Sequence, residues 1–273
     1  MKSSNTLQDN NYNTIIRDKC PLCFHIKAGL HKSIRKNDFT FYIVKCSECG
    51  FVFVENVKEQ DFNREETDKV KSYLHPRNAQ IMKIVQNYTP QHQREKLNIV
   101  EVGAGFGCFP EFLENKKYNY IGFEPSVARA RECANKGFNV INDFFRPKLL
   151  EDKADIIIMD NVIEHAVNPK ELLDQASKCL IQGGILILIV PNLYDIRQLS
   201  EKWRERHHWQ PTCHINYFSA GLLKKVMREC GLSPSFFGFS KLTLPGHSSF
   251  ILKTLLDKIG INIFGLYMIG LKR

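Results

Sequence analysis

The segment NIVEVGAGFGCF, residues 98–109, is the feature that most limits how this chain can fold. It is typical of a short buried strand followed by glycines at every second position, Gly103, Gly105 and Gly107. Glycine adopts left-handed backbone easily and lets a main chain approach a ligand, so the pattern predicts a ligand-binding turn. The dinucleotide fingerprint is G-x-G-x-x-G, whereas the third glycine here comes one residue early. The spacing therefore favours a ligand without a pyrophosphate.

Strands and helices alternate along the chain from Leu97 onwards. The predicted strands are LNIVEV, YNYIGFE, FNVIN, ADIIIMD and GGILILIVPN, followed by SPSFFGFSKL and LYMIGLKR as closing strands. Helices are expected after the glycines, through Phe112 and Leu113, and after the N-caps Asn168 and Ser219. An amphipathic segment at 249–260 is predicted as a core-facing helix. The alternation predicts a doubly wound α/β sheet that binds its ligand at the carboxyl ends of the strands.

Four of the nine cysteines form two matched pairs, Cys20 with Cys23 and Cys46 with Cys49. Each Cys-x-x-Cys turn can point two thiolates at one ion, and two such turns complete a tetrahedron. A redox role is less favoured, because redox sites use one pair beside a helix. The β-rich, aromatic segments around the pairs predict a zinc ribbon of two short hairpins. So small a module lacks a sufficient core, and structural Zn²⁺ would supply its folding energy.

The overall composition is that of a globular protein, with 43% hydrophobic and 25% charged residues. Apolar runs stay below the roughly 18 residues that a membrane span needs, and the N-terminal residues have no apolar h-region. We therefore expect a cytoplasmic protein without a transmembrane segment. The formal net charge of +9 is compatible with nucleic acid as a partner, but the charge is spread along the chain, which makes that partner less favoured.

These patterns divide the chain into three expected parts. Residues 1–57 are the zinc-ribbon module with a frayed N-terminal tail. Residues 58–94 are a helical connector, in which apolar residues between positions 81 and 88 keep helical spacing. Residues 95–273 are the α/β domain.

Acidic residues follow the predicted parallel strands of that domain. Glu124 ends the second strand, where a carboxylate can accept both ribose hydroxyls of a nucleoside. Asp143 follows the third strand, where it could meet an adenine amino group. Together with the short glycine spacing, these positions favour a nucleoside ligand.

Five motifs occur in a specific order, VEVGAGFG, GFEPS, NDFF, DNVIEHAVNP and GGILILIVPN. In this order and spacing they resemble class I S-adenosylmethionine-dependent methyltransferases, over residues 97–273. The EPS and EHxxxP forms are similar to the branch that contains ubiquinone-pathway O-methyltransferases and many sugar and natural-product methyltransferases. The resemblance implies a Rossmann-like seven-stranded α/β sheet whose last strand is antiparallel.

The resemblance also implies S-adenosylmethionine as cofactor, together with its contacts. The glycines would lie under the methionine part and the ribose, and Glu124 would hold the ribose. Asp143 and Phe144 would flank the adenine, and Asn161 would line the methionine end. The complete implied set is Glu101, Gly103, Ala104, Gly105, Gly107, Glu124, Pro125, Asp143, Phe144, Asp160 and Asn161.

A hydroxyl acceptor profits from a general base near neutral pH, for which histidine is the natural choice. His165 and His214 are the candidate bases, of equal rank, and Glu164 is a candidate for orienting the cofactor loop. The segment after the fifth strand is where the resembled family builds its substrate side. Its candidate substrate contacts are His207, His208, Trp209 and Tyr217. The sequence shows no Asp/His cluster that indicates catalytic magnesium.

The expected function is methyl transfer to a small-molecule acceptor, most simply O-methylation of a sugar or secondary metabolite. One alternative is an rRNA or tRNA base methyltransferase that binds RNA through the ribbon, as certain 23S rRNA guanine methyltransferases pair these modules. The stretch EHAVNP argues for the small-molecule branch instead. A second alternative is a non-enzymatic zinc-ribbon adaptor, against which the intact glycines and Glu124 argue.

Overall fold

The computed structural model describes residues 14–58, 75–88, 96–113, 118–151, 153–236 and 265–273. The strands are β1 (Thr14–Ile16), β2 (Ala28–Lys36), β3 (Phe39–Cys46), β4 (Val52–Val54), β5 (Asn56–Lys58), β6 (Leu97–Val102), β7 (Tyr118–Phe123), β8 (Val140–Ile141), β9 (Ala154–Asp160), β10 (Leu180–Val190), β11 (Asn216–Tyr217), β12 (Leu232–Phe236) and β13 (Leu266–Lys272). The helices are α1 (His75–Tyr88), α2 (Val127–Asn135), α3 (Pro169–Cys179), α4 (Glu201–Trp203) and α5 (Ala220–Glu229). Among the described helices, none combines the length and hydrophobicity that crossing a bilayer requires.

A seven-stranded sheet forms the centre of the α/β part, in the order β12-β13-β10-β9-β6-β7-β8. Strands β6 to β10 pair in parallel, and β13 is antiparallel to both β10 and β12. The predicted α/β, Rossmann-like class with an antiparallel last strand is confirmed. β9 and β10 lie at the centre and are buried on both faces, which explains their nearly continuous apolar sequences.

The two faces of this sheet are covered differently. On one face, α1 packs Ile81 and Val85 against the sheet residues Ile99 and Ile187. On the other face, α3 and α5 share an apolar core with residues of the N-terminal module, among them Phe51. The cysteine-containing module is therefore packed onto the α/β sheet.

The N-terminal module also shares a sheet with a distant part of the chain. β2 and β3 form a hairpin, β4 pairs with β3, and β11 pairs with β4, which gives the order β11-β4-β3-β2. In the last pair Asn216 lies opposite Phe53 and Tyr217 opposite Val52. The segment after β10 thus adds a strand to the sheet of the N-terminal module, a pairing that the sequence did not predict.

One predicted helix is wrong. The chain after the glycines forms a single 3-10 turn, Pro110–Phe112, and Leu113 has extended backbone at φ −84° and ψ 131°. The turn ends there because extended backbone cannot continue the helical hydrogen bonds. The predicted helix at 249–260, the N-terminal tail and much of the connector lie outside the described residues.

Candidate active site

The glycine loop after β6 has the backbone that its sequence predicts. Gly103, Gly105 and Gly107 have φ values of +75°, +57° and +72°. A Cβ on Gly103 would lie 2.8 Å from Val162, and one on Gly107 would lie 2.9 Å from the Phe138 ring. A Cβ on Gly105 would meet nothing within 4 Å. The outer two glycines therefore allow close packing within the chain, whereas the middle one leaves room beside the loop for a ligand.

Glu124 ties this loop to the next strand. Its side chain is only 3% exposed. Oε2 accepts the backbone N–H of Gly105 at 2.8 Å, and Oε1 accepts that of Ser126 at 2.9 Å. The carboxylate thus lies directly beside the open face of Gly105 with its orientation fixed by two main-chain donors. Its predicted contact with a ribose stays a prediction.

Glu101 lies beneath the loop and is buried. Burial raises the pKa of its carboxyl to about 8, and the nearby Asp160 and Glu124 act in the same direction. The hydroxyl of Tyr120 donates to Glu101 Oε2 at 2.5 Å, which opposes the shift. Glu101 therefore lies inside the protein, two residues before Gly103, and its predicted part in the cofactor site stays a prediction.

The segment after β8 brings a polar and an aromatic side chain to the same edge of the sheet. Asp143 Oδ1 accepts the N–H of Phe144 at 2.8 Å, and Oδ2 lies 3.0 Å from Arg146 Nε. The Phe144 ring is 55% exposed. Asn142 donates from Nδ2 to the carbonyl of Glu124 at 2.9 Å, which joins this segment to the end of β7. An exposed aromatic ring beside an ordered carboxylate is a suitable surface for a planar base.

Asp160 at the end of β9 forms an ion pair that the sequence did not reveal. Arg77 Nη1 on α1 lies 2.8 Å from Asp160 Oδ1. Burial raises the pKa of Asp160, and the Arg77 charge opposes this. The following residue, Asn161, is exposed, has φ +55°, and donates its N–H to the carbonyl of Ile189 at 2.9 Å. The helical spacing of α1 predicted only its apolar face and gave no signal for Arg77.

Glu164, His165 and His214 lie together, and Glu164 comes two residues after Val162, whose side chain lies beside Gly103. His165 Nδ1 is 2.7 Å from the carbonyl oxygen of Cys213, and Nε2 is 3.8 Å from Glu164 Oε1. The two imidazole rings have centroids 5.1 Å apart. Burial lowers the pKa of His165 and lowers that of His214 to about 4, and it raises the pKa of Glu164 to about 8. The sequence singled out each of these three residues but did not indicate that their side chains lie together.

The predicted substrate contacts are distributed between the surface and the interior. His207 is exposed, whereas His208, Trp209 and Tyr217 are buried. Trp209 and Tyr217 pack in an apolar cluster with residues of β3 and β4, with their ring centroids 4.7 Å apart. These rings fill the junction with the N-terminal module, and their contact with a substrate stays a prediction.

A profile of the methyltransferase domain matches residues 73–234, which is more than half of the chain. The chain belongs to the methyltransferase domain family. The matched residues include the glycine loop, Glu124 and the Glu164, His165 and His214 cluster. They begin after the four paired cysteines, which lie outside the matched methyltransferase domain.

Two relatives of known sequence match parts of this methyltransferase domain. An uncharacterised methyltransferase of Mycolicibacterium vanbaalenii is 28% identical over 97 residues, 34% of this chain and 38% of that protein. An uncharacterised protein of Methanocaldococcus jannaschii is 25% identical over 134 residues, 48% of this chain and 62% of that protein. The match spans less than two thirds of the length of either curated relative.

Solved structures share the fold at low identity. A methyltransferase from Archaeoglobus fulgidus has a TM-score of 0.52 at 17% identity, covering 74% of this chain and 95% of that one. The plantazolicin methyltransferase BamL has a TM-score of 0.52 at 14% identity, covering 77% and 88%. Magnesium protoporphyrin IX methyltransferase from Synechocystis has a TM-score of 0.52 at 12% identity, covering 78% and 91%.

The four paired cysteines, which precede the matched methyltransferase domain in the sequence, lie close together. The sulfurs of Cys20 and Cys49 are 3.6 Å apart and those of Cys23 and Cys46 are 3.5 Å apart. All four sulfurs lie within 4.8 Å of one another, and none is in a disulfide. Sulfurs around a tetrahedral zinc ion are about 3.8 Å apart, given Zn–S bonds of about 2.3 Å. The cluster therefore fits a zinc ion in number, chemistry and spacing.

Proposed function

We propose that this protein transfers the methyl group of S-adenosylmethionine to a hydroxyl of a small-molecule acceptor, such as a sugar or secondary metabolite. The observation that carries the proposal is the open face of Gly105 beside Glu124 in a member of the methyltransferase family. BamL and the protoporphyrin methyltransferase, which share the fold, have been solved with S-adenosylhomocysteine. The short glycine spacing favours a ligand without a pyrophosphate, and S-adenosylmethionine contains none.

The loop, Glu124 and the segment after β8 would hold the cofactor. Glu124, whose orientation two main-chain donors fix, would accept the ribose hydroxyls. Phe144 would cover the adenine, and Asn161 would line the methionine end. When bound, the cofactor supplies a methyl group on a positively charged sulfur, and the acceptor oxygen forms the new bond to carbon while the carbon–sulfur electron pair returns to sulfur.

We place the acceptor hydroxyl at the Glu164, His165 and His214 cluster. His165 donates from Nδ1 to the Cys213 carbonyl, so its Nε2 lone pair is free to interact with a proton or a cation. Both imidazoles are neutral at pH 7, because burial lowers their pKa values. The cluster would thus hold the acceptor oxygen beside neutral imidazole nitrogens, which can accept a proton or bind a cation.

The loop after β10 supplies a surface for the rest of the acceptor. Tyr194, Ile196 and Leu199 are exposed there, Leu199 to 80%. A group of exposed apolar side chains favours contact with apolar parts of a ligand. We assign these residues to the acceptor entrance of the methyltransferase domain.

The cysteine cluster would hold a structural zinc ion. Four thiolates fill the tetrahedral coordination sphere, so the ion has no open position for a substrate. Its role would be to fix the ribbon, whose strand β4 pairs with β11 beside His214. The ion would thereby hold the acceptor side of the site in place.

RNA methylation is the second candidate function, because the ribbon presents a basic strand. β2 is exposed over most of its length and carries Lys32, Arg35 and Lys36. Such a strand could contact phosphates, and binding would then weaken steeply with added salt.

The experiment that separates these functions uses S-adenosylmethionine with a radiolabelled methyl group, incubated with the protein and a host-cell extract. The products are divided into RNA, protein and small-molecule or glycan fractions. Label in the last fraction supports the proposal. Label that ribonuclease removes supports the RNA alternative, and cofactor binding without label in any fraction supports the non-enzymatic one. A Glu124→Gln variant, which removes the carboxylate beside Gly105, is expected to transfer much less label.

A further inference from the structure

We propose that Glu164, His165 and His214 form a binding site for one divalent first-row transition-metal ion, separate from the cysteine cluster. Each residue offers one ligand atom, and these atoms all lie within 4.8 Å of one another. Glu164 and His165 lie on the 3-10 turn after β9, and His214 precedes β11. Two loops from different strands therefore converge with two imidazoles and one carboxylate.

Glu164 is the observation that points to a cation. Its side chain is completely buried, at 0% exposure. Neither Oε1 nor Oε2 has a hydrogen-bond partner among the described residues. Burying a carboxyl group without partners destabilises a protein, and a coordinated cation satisfies both its charge and its lone pairs.

His165 has the arrangement of a metal ligand. Histidines that bind metals usually donate their second ring N–H to a carbonyl or carboxylate, which fixes the tautomer. His165 Nδ1 makes this contact with the Cys213 carbonyl at 2.7 Å. The lone pair of Nε2 then faces Glu164 Oε1 at 3.8 Å. Because Cys213 adjoins His214, the same short segment positions both imidazoles.

The donor set restricts the identity of the ion. Magnesium and calcium prefer oxygen ligands, whereas imidazole suits zinc, iron, cobalt and related ions. Ligand atoms around such an ion, at about 2.1 Å each, are about 3.0–3.4 Å apart. The separation of 3.8 Å between His165 Nε2 and Glu164 Oε1 is larger than this range by about half an ångström, which side-chain rotation can close. Three protein ligands leave open positions for an oxygen from outside.

The role of this ion in methyl transfer rests on the proposed function. An acceptor hydroxyl bound at an open position has a lowered pKa, so it loses its proton to water and reacts as the alkoxide. The oxygen forms its bond to the methyl carbon, and the carbon–sulfur electron pair returns to sulfur. The ion keeps its oxidation state throughout. In this arrangement His165 and His214 act as ligands, and neither serves as the general base.

The test is a titration of the full, zinc-replete chain with Co²⁺ in the absence of S-adenosylmethionine, followed by visible absorption. We expect saturation at one Co²⁺ per chain, without a thiolate-to-cobalt charge-transfer band. Glu164→Gln and His214→Ala should each weaken binding by about tenfold or more. The matched control is Glu171→Gln, which changes an exposed carboxylate on α3 and should leave Co²⁺ affinity unchanged.

Three results would overturn the metal site. The first is the absence of saturable Co²⁺ binding, and the second is a thiolate charge-transfer band that accounts for all bound Co²⁺. The third is an equal affinity for Co²⁺ in the wild type and in a folded Glu164→Gln or His214→Ala variant. Co²⁺ binding needs no methyl donor, so its failure with methyl transfer intact rejects only the metal site. Methyl transfer to RNA with Co²⁺ binding intact rejects only the proposed acceptor.

Discussion

Arg17 donates from Nη2 to the side-chain oxygen of Asn216 at 2.7 Å and joins the ribbon to the acceptor side of the site. Its Nη1 also donates to the Ile215 carbonyl at 3.1 Å. Asn216 in turn donates from Nδ2 to the carbonyls of Ile163 and Ala166, at 3.0 and 2.7 Å. These bonds enclose the turn that carries Glu164 and His165, so the ribbon directly supports the proposed acceptor site.

Replacing Arg17 should therefore impair both stability and methyl transfer. Arg17→Ala removes the donor to Asn216 Oδ1 and one of the two donors to the Ile215 carbonyl, which keeps the N–H of Val54. We expect a loss of about 2–3 kcal/mol in the free energy of unfolding. Denaturant unfolding measures this loss, and label transfer measures activity. Arg35→Ala, at an exposed position on β2, is the control and should change stability by no more than about 0.5 kcal/mol. Equal stability of the two variants would show that the Arg17 contacts contribute little.

Gly105 should be sensitive to substitution, because the proposed cofactor would lie against it. Gly105→Ala meets no protein atom within 4 Å but is strained at φ +57°, which costs about 1–2 kcal/mol. Gly137→Ala, at φ +81° and also in open space, is a matched control with similar strain. Calorimetric titration should show weakened S-adenosylmethionine binding only in Gly105→Ala. If both variants bind as the wild type does, the cofactor does not lie against Gly105.

Removal of zinc should unfold the ribbon. Cys49→Ser removes one ligand of the proposed tetrahedron, so we expect substoichiometric zinc by elemental analysis and a lower melting temperature. Cys179→Ser changes a cysteine on α3 outside the cluster and should retain one zinc ion per chain. A wild-type chain that folds without zinc and is unaffected by chelators would contradict a structural role for the ion.

The raised pKa of Glu101 predicts that the protein loses stability as the pH rises. Its pKa is about 8 in the folded protein and is about 4.5 for an unperturbed glutamate, so its contribution to stability is present below pH 4.5 and is lost as the pH rises towards 8. The wild type should lose up to about 1.4 kcal/mol per pH unit relative to Glu101→Gln within this window. Urea unfolding at several pH values measures the difference. A difference that does not vary with pH would show that Glu101 is ionised throughout.

The parallel strands were predictable because central strands of such a sheet are continuous apolar runs. β6 and β9 begin and end at the residues that the sequence indicates, and the glycine loop follows β6 as expected. The helix through Leu113 was wrong, since the apolar side chains there fit either a helix or an extended segment. The local pattern of apolar residues and glycines therefore predicted the order of the strands and the position of the loop.

Contacts between distant loops were not predictable from the same patterns. The pairing of β11 with β4, the Arg77–Asp160 ion pair and the meeting of Glu164 with His214 all depend on how separate loops pack. The packing of Trp209 against residues of β3 and β4 was likewise not indicated by its neighbours in sequence. Side-chain type in one segment carries no information about which other segment covers it.

The most direct measurement uses S-adenosylmethionine with a ¹³C-labelled methyl group and identifies the methylated atom by NMR of the purified product. We predict a methyl carbon attached to oxygen, in a small molecule or glycan, that forms with the wild type and is strongly reduced with Glu124→Gln. A methyl carbon attached to nitrogen or carbon, or one found in RNA, would contradict it.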